Sequence, residues 1–219
     1  MKISFAATLL RYLLMSAPGI LITLSISVEL VLIAADNAWI GTPIWRPLAY
    51  QNGAFWAGLL HNWRPNYTLQ PELMFVSYAF LHAGFGHLLG NMLTLAYLGQ
   101  NAVMRVGQGG FLFIYTLSAV GGGLAFGLIS NNPQPMVGAS GALSGLVGAW
   151  LYWDWRDRGE MGLGRWPIWR TVTLLIALNI VIWIALDGLL AWETHLGGAL
   201  AGCVGAMLMP TKGNQPSGS

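Results

Sequence analysis

Long stretches without a charged residue constrain this chain more than any other feature. The segment from Val106 to Trp153 is 48 residues long and contains no Asp, Glu, Lys or Arg, and the segment from Leu73 to Met104 contains none either. A helix that crosses a bilayer needs about 20 mainly apolar residues. The longer segment therefore holds two membrane spans, and the turn-forming sequence from Ser130 to Pro135 predicts the hairpin between them.

Composition excludes several classes of protein. The chain has 219 residues, of which 8% are charged and 55% hydrophobic, with a mean hydropathy of +0.59. A soluble domain carries about 25% charged residues, so a soluble enzyme and a disordered chain are excluded. The net charge of +2 is too small for a nucleic-acid-binding surface, and the lone Cys203 excludes an intrachain disulfide framework.

The charge-free stretches predict an all-α, polytopic membrane bundle of six transmembrane helices. The bundle forms one domain over residues 1–210, with a long, aromatic-rich external loop at 36–72 and a short polar tail at 211–219. The first span is longer than the apolar part of a signal peptide, so we expect a retained signal-anchor helix. The six helices are predicted at about 12–35, 73–98, 111–130, 136–153, 169–187 and 194–209.

Charge asymmetry predicts the orientation of the bundle. Cytoplasmic loops of membrane proteins are enriched in Lys and Arg. With the N-terminus inside, only Arg46 and Arg64 fall outside. We therefore expect both termini to be cytoplasmic. The basic residues that fall inside are Lys2, Arg11, Arg105, Arg156, Arg158, Arg165, Arg170 and Lys212.

Polar residues inside the predicted spans are functional candidates, because burying them in lipid is costly. Ser140 and His195 come at the start of the fourth and sixth helices, both of which enter from the outside, within about 6 Å of one boundary. His87 and Asn91 are four residues apart, which puts them on one face of the second helix. A helix that starts at residue 73 places this pair about 20–27 Å deep.

Glycine patterns follow both of the shallow polar residues. Gly141 and Gly145 follow Ser140, and Gly198 and Gly202 follow His195. Small residues four apart let helices approach closely, so the two faces are predicted to pack together. A serine beside a neutral histidine is an activated nucleophile with its general base. A metal site is a weaker interpretation, because the spacing from His82 to His87 is not that of a metal-binding helix motif.

Three motifs in this order resemble the rhomboid family of intramembrane serine proteases. They are His-x4-His-x3-Asn on the second helix, Gly-x-Ser-Gly on the fourth and His-x2-Gly-x3-Gly on the sixth. The resemblance covers about residues 12–209. It implies Ser140 as nucleophile, His195 as general base, and an oxyanion hole from His87, Asn91 and the Ser140 N–H. His82 is implied as an accessory residue at the mouth of the site, and Gly138 and Gly141 as glycines that flank the nucleophile.

The resemblance also implies an activity and a location. The expected substrates are membrane proteins with a transmembrane segment, cleaved near the extracytoplasmic face of a bacterial inner membrane without a cofactor or a metal. No nucleic-acid partner is expected. In this family the fifth helix and the loop after it move to admit substrate, here about 169–187 and 188–193. Two alternatives stay open: a rhomboid-like protein that binds membrane clients without cutting them, and, behind it, a channel or transporter.

Some positions depart from the family pattern. The pairs Trp45-Arg46 and Trp63-Arg64 lie further upstream than the usual Trp-Arg pair. Ser144 occupies a position where some members have a tyrosine under the catalytic histidine. No acidic third member is evident, and the acids nearest to His195 in sequence are Asp187 and Glu193.

Overall fold

The computed structural model describes residues 15–210, and within this range the chain forms helices and no β-strand. Two short 3-10 helices occur at Ala57–Leu60 and Tyr78–Phe80. The predicted all-α class is thereby confirmed. The α-helices are α1 (Ala17–Asp36), α2 (Trp45–Gly53), α3 (Gln70–Ser77), α4 (Phe85–Ile129), α5 (Ser140–Glu160), α6 (Trp166–Ala185) and α7 (Trp192–Leu208).

Six long helical segments follow one another, because α4 is two helices joined at a kink. Gly107 has φ +79° and ψ 176°, which separates an arm at 85–106 from an arm at 108–129. Near the kink, the guanidinium of Arg105 forms two hydrogen bonds with the Asp157 carboxylate of α5, at 2.6 and 2.8 Å. By length and composition, α1, α4 and α6 are able to cross a membrane.

The predicted start of the second span is wrong. The first arm of α4 begins at Phe85 instead of residue 73, and the residues before it form the separate short helix α3. Gly84 has φ +89°, a conformation that is not helical and is readily available only to glycine. It therefore separates α4 from the residues before it. As a result, His87 and Asn91 lie in the first two turns of α4 rather than deep in it, and His82 lies before the helix.

Other helix boundaries also differ from the predicted ones. Ser140 is the first residue of α5 instead of the fifth residue of a helix that starts at 136. Helices α6 (Trp166–Ala185) and α7 (Trp192–Leu208) lie close to the ranges predicted for the fifth and sixth spans. The expected start of the first span at residue 12, the charges at Lys2, Arg11 and Lys212, and the polar tail lie outside the described residues.

Helices α5 and α7 form the centre of the bundle and touch along their glycines. A Cβ atom built on Gly198 would lie 2.8 Å from the carbonyl carbon of Gly141, and one on Gly145 would lie 2.8 Å from the Gly198 oxygen. The Gly202 position faces the backbone of Gly145. Because no side chain fits between these backbones, the two helices approach closely at these glycines.

The loop between α1 and the first arm of α4 is anchored at two places. Phe55 is fully buried and meets Phe75, Tyr78 and Phe126 edge to face. Arg46 bonds the buried Glu29 of α1 through both guanidinium ends, at 2.9 and 3.1 Å. Arg46 of the Trp45-Arg46 pair therefore fastens this loop to α1, although the pair lies upstream of the usual position.

Helix α6 lies at the edge of the bundle. Ile168 is its one buried residue, and most of its other side chains are exposed. The half-buried positions 172, 175, 179 and 182 recur every three or four residues, as expected for one inward face. A cavity of about 610 Å³ separates this face from α5 and α7.

Candidate active site

Ser140 begins α5 and is half-buried. The first N–H groups of a helix have no partner within that helix, so the Ser140 N–H is available as a donor. The positive end of the helix dipole also lies here, which favours negative charge nearby. Gly138, two residues earlier, has φ +119°, and its N–H donates to the Tyr78 carbonyl at 3.0 Å.

His87 and Asn91 of α4 lie against Gly138. A Cβ atom on Gly138 would be 2.8 Å from His87 Nε2 and 3.7 Å from Asn91 Nδ2. The Ala83 N–H donates to His87 Nδ1 at 3.3 Å, so the proton of the neutral ring sits on Nε2. Asn91 Nδ2 donates to the His87 carbonyl at 3.0 Å and keeps a second hydrogen for another acceptor. Two N–H donors thus lie beside the segment that precedes Ser140.

His82 is fully buried just before α4. Its ring packs edge-on against His87, with a centroid distance of 5.3 Å. Its backbone carbonyl accepts from the Tyr50 hydroxyl at 2.7 Å and from Arg46 at 3.1 Å. Burial, together with the neighbouring His87, lowers the pKa of His82 to about 4, so the ring is neutral at physiological pH.

His195 lies in the first turn of α7 and is hydrogen-bonded to α6. Its Nδ1 is 2.6 Å from Asn179 Oδ1. The preceding residue, Thr194, is buried, and its hydroxyl donates to the Gly122 carbonyl of α4 at 3.3 Å. The Thr194 methyl contacts the Gly141 position of α5. Thr194 therefore fixes the first turn of α7 against both neighbouring helices, and His195 with it.

The structure brings the first turns of α4, α5 and α7 to one end of the bundle. Within residues 15–210, the Ser140 hydroxyl forms no hydrogen bond with His195. His195 also lines the 610 Å³ cavity, together with Ser144 and Asn179. Of the five candidate residues His82, His87, Asn91, Ser140 and His195, His195 is the one that borders this cavity.

Comparison with known proteins identifies the family. The family model of the Rhomboid domain matches residues 70–211, which include every candidate site residue. The chain belongs to the rhomboid family. Rhomboid proteins are membrane proteins, in agreement with the apolar helices α1, α4 and α6.

The curated relatives include rhomboids from a plant and a bacterium. RHOMBOID-like protein 5 of Arabidopsis thaliana is 35% identical over 137 residues, covering 58% of this chain and 40% of the relative. Rhomboid protease GluP of Bacillus subtilis (strain 168) is 34% identical over 122 residues, covering 56% of this chain and 23% of the relative. The match therefore spans less than half the length of either relative.

Asn179 is the site residue that the rhomboid motifs did not reveal. It lies 16 positions before His195 in sequence, on a different helix, so no local motif joins the two. One signal was present in the sequence: Asn179 is the only side-chain amide in the charge-free stretch from Thr171 to Leu186. A polar group of that kind inside a span is a functional candidate by default.

Proposed function

We propose that this rhomboid is an intramembrane serine endopeptidase that cleaves membrane-anchored substrates with Ser140 and His195. The observation that supports the proposal most is that α5 and α7 pack closely beside both residues: the Thr194 methyl contacts the Gly141 position, and the Gly198 position meets the Gly141 backbone. Such a contact keeps a nucleophile and a base on adjacent helices at the same level of the bundle.

In the proposed reaction, Ser140 Oγ attacks the scissile carbonyl carbon while His195 Nε2 takes the hydroxyl proton. The resulting tetrahedral intermediate collapses when the imidazolium gives its proton to the leaving amine. Water then attacks the acyl-enzyme by the same route, and Ser140 regains its proton. Because no cofactor takes part in these steps, the residues of the chain carry the whole reaction.

The negative charge that develops on the substrate oxygen needs donors. We assign this role to the Ser140 N–H, His87 Nε2–H and the second hydrogen of Asn91 Nδ2. The two side chains lie against Gly138, next to the backbone that leads into Ser140. Preorganised donors of this kind are each worth about 10²–10³ in kcat.

The proposed substrates are membrane proteins with a transmembrane segment, and the proposed cutting site faces the extracytoplasmic side. The basic residues Arg105, Arg156, Arg158, Arg165 and Arg170 lie around the kink of α4, the end of α5 and the start of α6, away from Ser140. The positive-inside rule supports a cytoplasmic location for this end, and therefore an external location for the first turns of α5 and α7.

The test is covalent labelling of the purified full chain by a fluorophosphonate probe, alongside cleavage of a model transmembrane substrate in proteoliposomes. We expect the wild type to label and cleave. Ser140→Ala should do neither, and His195→Ala should lose cleavage. Ser27→Ala is the matched control, because Ser27 is exposed on α1 and bonds its own helix, at 2.8 Å to the Thr23 carbonyl.

Normal cleavage by Ser140→Ala would refute the proposal. A wild type that captures a transmembrane segment but neither labels nor cleaves would favour a rhomboid that binds membrane clients without cutting them.

A further inference from the structure

We propose that Asn179 is a positioning residue for His195, and that it makes the orientation of this base depend on helix α6. The inference rests on the proposed function, in which His195 is the base. It goes beyond that function by adding a third side chain from a third helix. Asn179 acts through His195 and is not itself expected to touch the substrate.

The orientation of the Asn179 amide is fixed by its own helix. Its Nδ2 donates to the Leu175 carbonyl at 2.9 Å, so Oδ1 is the atom that faces His195. An amide oxygen only accepts hydrogen bonds. The 2.6 Å contact with His195 Nδ1 therefore requires a proton on Nδ1.

This proton assignment determines which nitrogen of His195 can act as a base. A neutral imidazole carries one proton, so a protonated Nδ1 leaves the lone pair on Nε2. In serine proteases with a third residue, that residue holds the histidine in this tautomer and orientation. An amide oxygen provides the same acceptor without an ionised group, which suits a site between helices in a membrane.

The bond is the main polar support for the His195 ring. Within residues 15–210, it is the only hydrogen bond that the His195 side chain makes. Ser144 occupies the position one turn below the nucleophile, and its small side chain offers no ring for His195 to stack on. Without Asn179, the ring is free to rotate and to take the other tautomer.

The same bond ties α6 to the catalytic helices. Among the described residues of α6, it is the only side-chain hydrogen bond to another helix, since Thr171 and the Asn179 amide nitrogen bond carbonyls of α6 itself. A displacement of α6 away from α7 must break this bond. The base is then aligned only while α6 is docked, so substrate that enters by displacing α6 is cut after α6 returns.

Three variants test the inference in the full chain. Asn179→Leu keeps the size of the side chain but removes the acceptor. Asn179→Asp keeps an acceptor at the same position. Asn101→Leu is the matched control, because Asn101 makes the equivalent bond to the Tyr97 carbonyl at 2.9 Å on the first arm of α4, away from His195.

Kinetics give the first readout. We expect Asn179→Leu to lower kcat by about 10²-fold with little change in KM, because a misplaced base costs about this much. Asn179→Asp should retain most of the wild-type kcat, and Asn101→Leu should behave as wild type. Equal losses in the Leu and Asp variants, or wild-type kcat in Asn179→Leu, would overturn the inference.

The second readout does not depend on activity. Nitrogen-15 NMR of histidine-labelled protein in the Ser140→Ala background reports the tautomer of His195, assigned by its absence in His195→Gln. We expect a protonated Nδ1 when Asn179 is present and a mixture of tautomers when Asn179→Leu is added. An unchanged tautomer would overturn the positioning role. If the wild type neither labels nor cleaves, the proposed function fails, while the NMR measurement still decides whether Asn179 orients His195.

Discussion

Two constraints require glycine at position 138: the backbone conformation and the close approach of His87. Its φ of +119° is strained for any residue with a side chain, and a Cβ atom there would lie 2.6 Å from His87 Cε1. We therefore expect Gly138→Ala to displace His87 and to lower kcat by about 10²-fold or more, the cost of losing one oxyanion donor. Cleavage of a transmembrane substrate by purified protein measures the effect.

Gly164→Ala is the control for this change, because Gly164 has open space around its Cβ position and no positive φ. It should cleave at the wild-type rate. Equal activity of the two alanine variants would contradict the assignment of His87 as a donor beside Gly138.

Replacing Asn91 is expected to reduce cleavage without abolishing it. Asn91→Ala should leave measurable cleavage, reduced by about 10²–10³, because two other donors remain. Ser140→Ala and His195→Ala should leave none in the same assay. Wild-type activity in Asn91→Ala would remove Asn91 from the oxyanion hole without affecting the assignment of Ser140 and His195.

Among the elements, α5 and α7 depend on backbone contact. A Cβ atom on Gly198 would meet the backbone of Gly141, which cannot move aside as a side chain can. We expect Gly198→Ala to destabilise the bundle by about 1–3 kcal/mol, the usual cost of overpacking. Unfolding in mixed micelles with increasing denaturing detergent measures the difference.

Gly205→Ala on the same helix is the comparison, because its Cβ would meet side-chain atoms of Ile114 and Leu117 at 3.3 Å. These side chains have room to adjust, so the loss of stability should be smaller. Equal destabilisation by both variants would show that the backbone contact has no special role.

Helix α1 is connected to the site through Arg46. This guanidinium bonds the fully buried Glu29, the partly exposed Asp36 and the carbonyl of His82, five residues before His87. Removing one partner of a buried ion pair costs about 3–5 kcal/mol, whereas an exposed pair is worth about 1 kcal/mol or less. Glu29→Ala should therefore lower the unfolding midpoint and the cleavage rate much more than Asp36→Ala. Similar losses in both variants would contradict this account.

The sequence predicted the helices better than their ends, for a physical reason. Lipid disfavours charge within a span, so the long stretches with little or no charge locate the apolar helices. The break before Phe85 involves no charge and depends on Gly84, which is not distinguished in sequence from the glycines that continue α4 at 86 and 90. For the break at Gly107, the sequence predicted a connection between the second and third spans but not the residue at which the helix direction changes.

For the whole molecule, the motifs predicted Ser140, His195, His87 and Asn91 as candidates, because each motif is local in sequence, at or near the start of one helix. The glycine patterns predicted the packing of α5 against α7, but contacts between helices that no such pattern marks were not visible. Asn179 meets His195 only through the packing of α6 against α7, and Arg46 meets Glu29 only through the path of the first loop. Such contacts depend on tertiary structure, which one sequence without an alignment does not reveal.

We expect the position of α6 to control the entry of a transmembrane substrate. Trp183 of α6 and Trp192 of α7 line the same cavity, so a short thiol crosslinker between cysteines at these positions should hold α6 in its docked place. Cys203 is replaced by serine so that the introduced cysteines alone react. A transmembrane substrate has to enter sideways between helices, and it has to unwind because a helix hides its own carbonyls. A small soluble serine probe needs neither step.

We therefore expect the crosslink to lower cleavage of a transmembrane substrate strongly and reversibly, while probe labelling of Ser140 continues. Labelling continues because the docked helix keeps Asn179 on His195. The crosslinked fraction is measured by mass shift, and the same double-cysteine protein without crosslinker is the control. Undiminished turnover of the transmembrane substrate would exclude α6 as the gate, and loss of probe labelling would show that the crosslink disturbs the site itself. Blocked entry together with intact labelling is expected if α6 admits the substrate and its docked position leaves the site assembled.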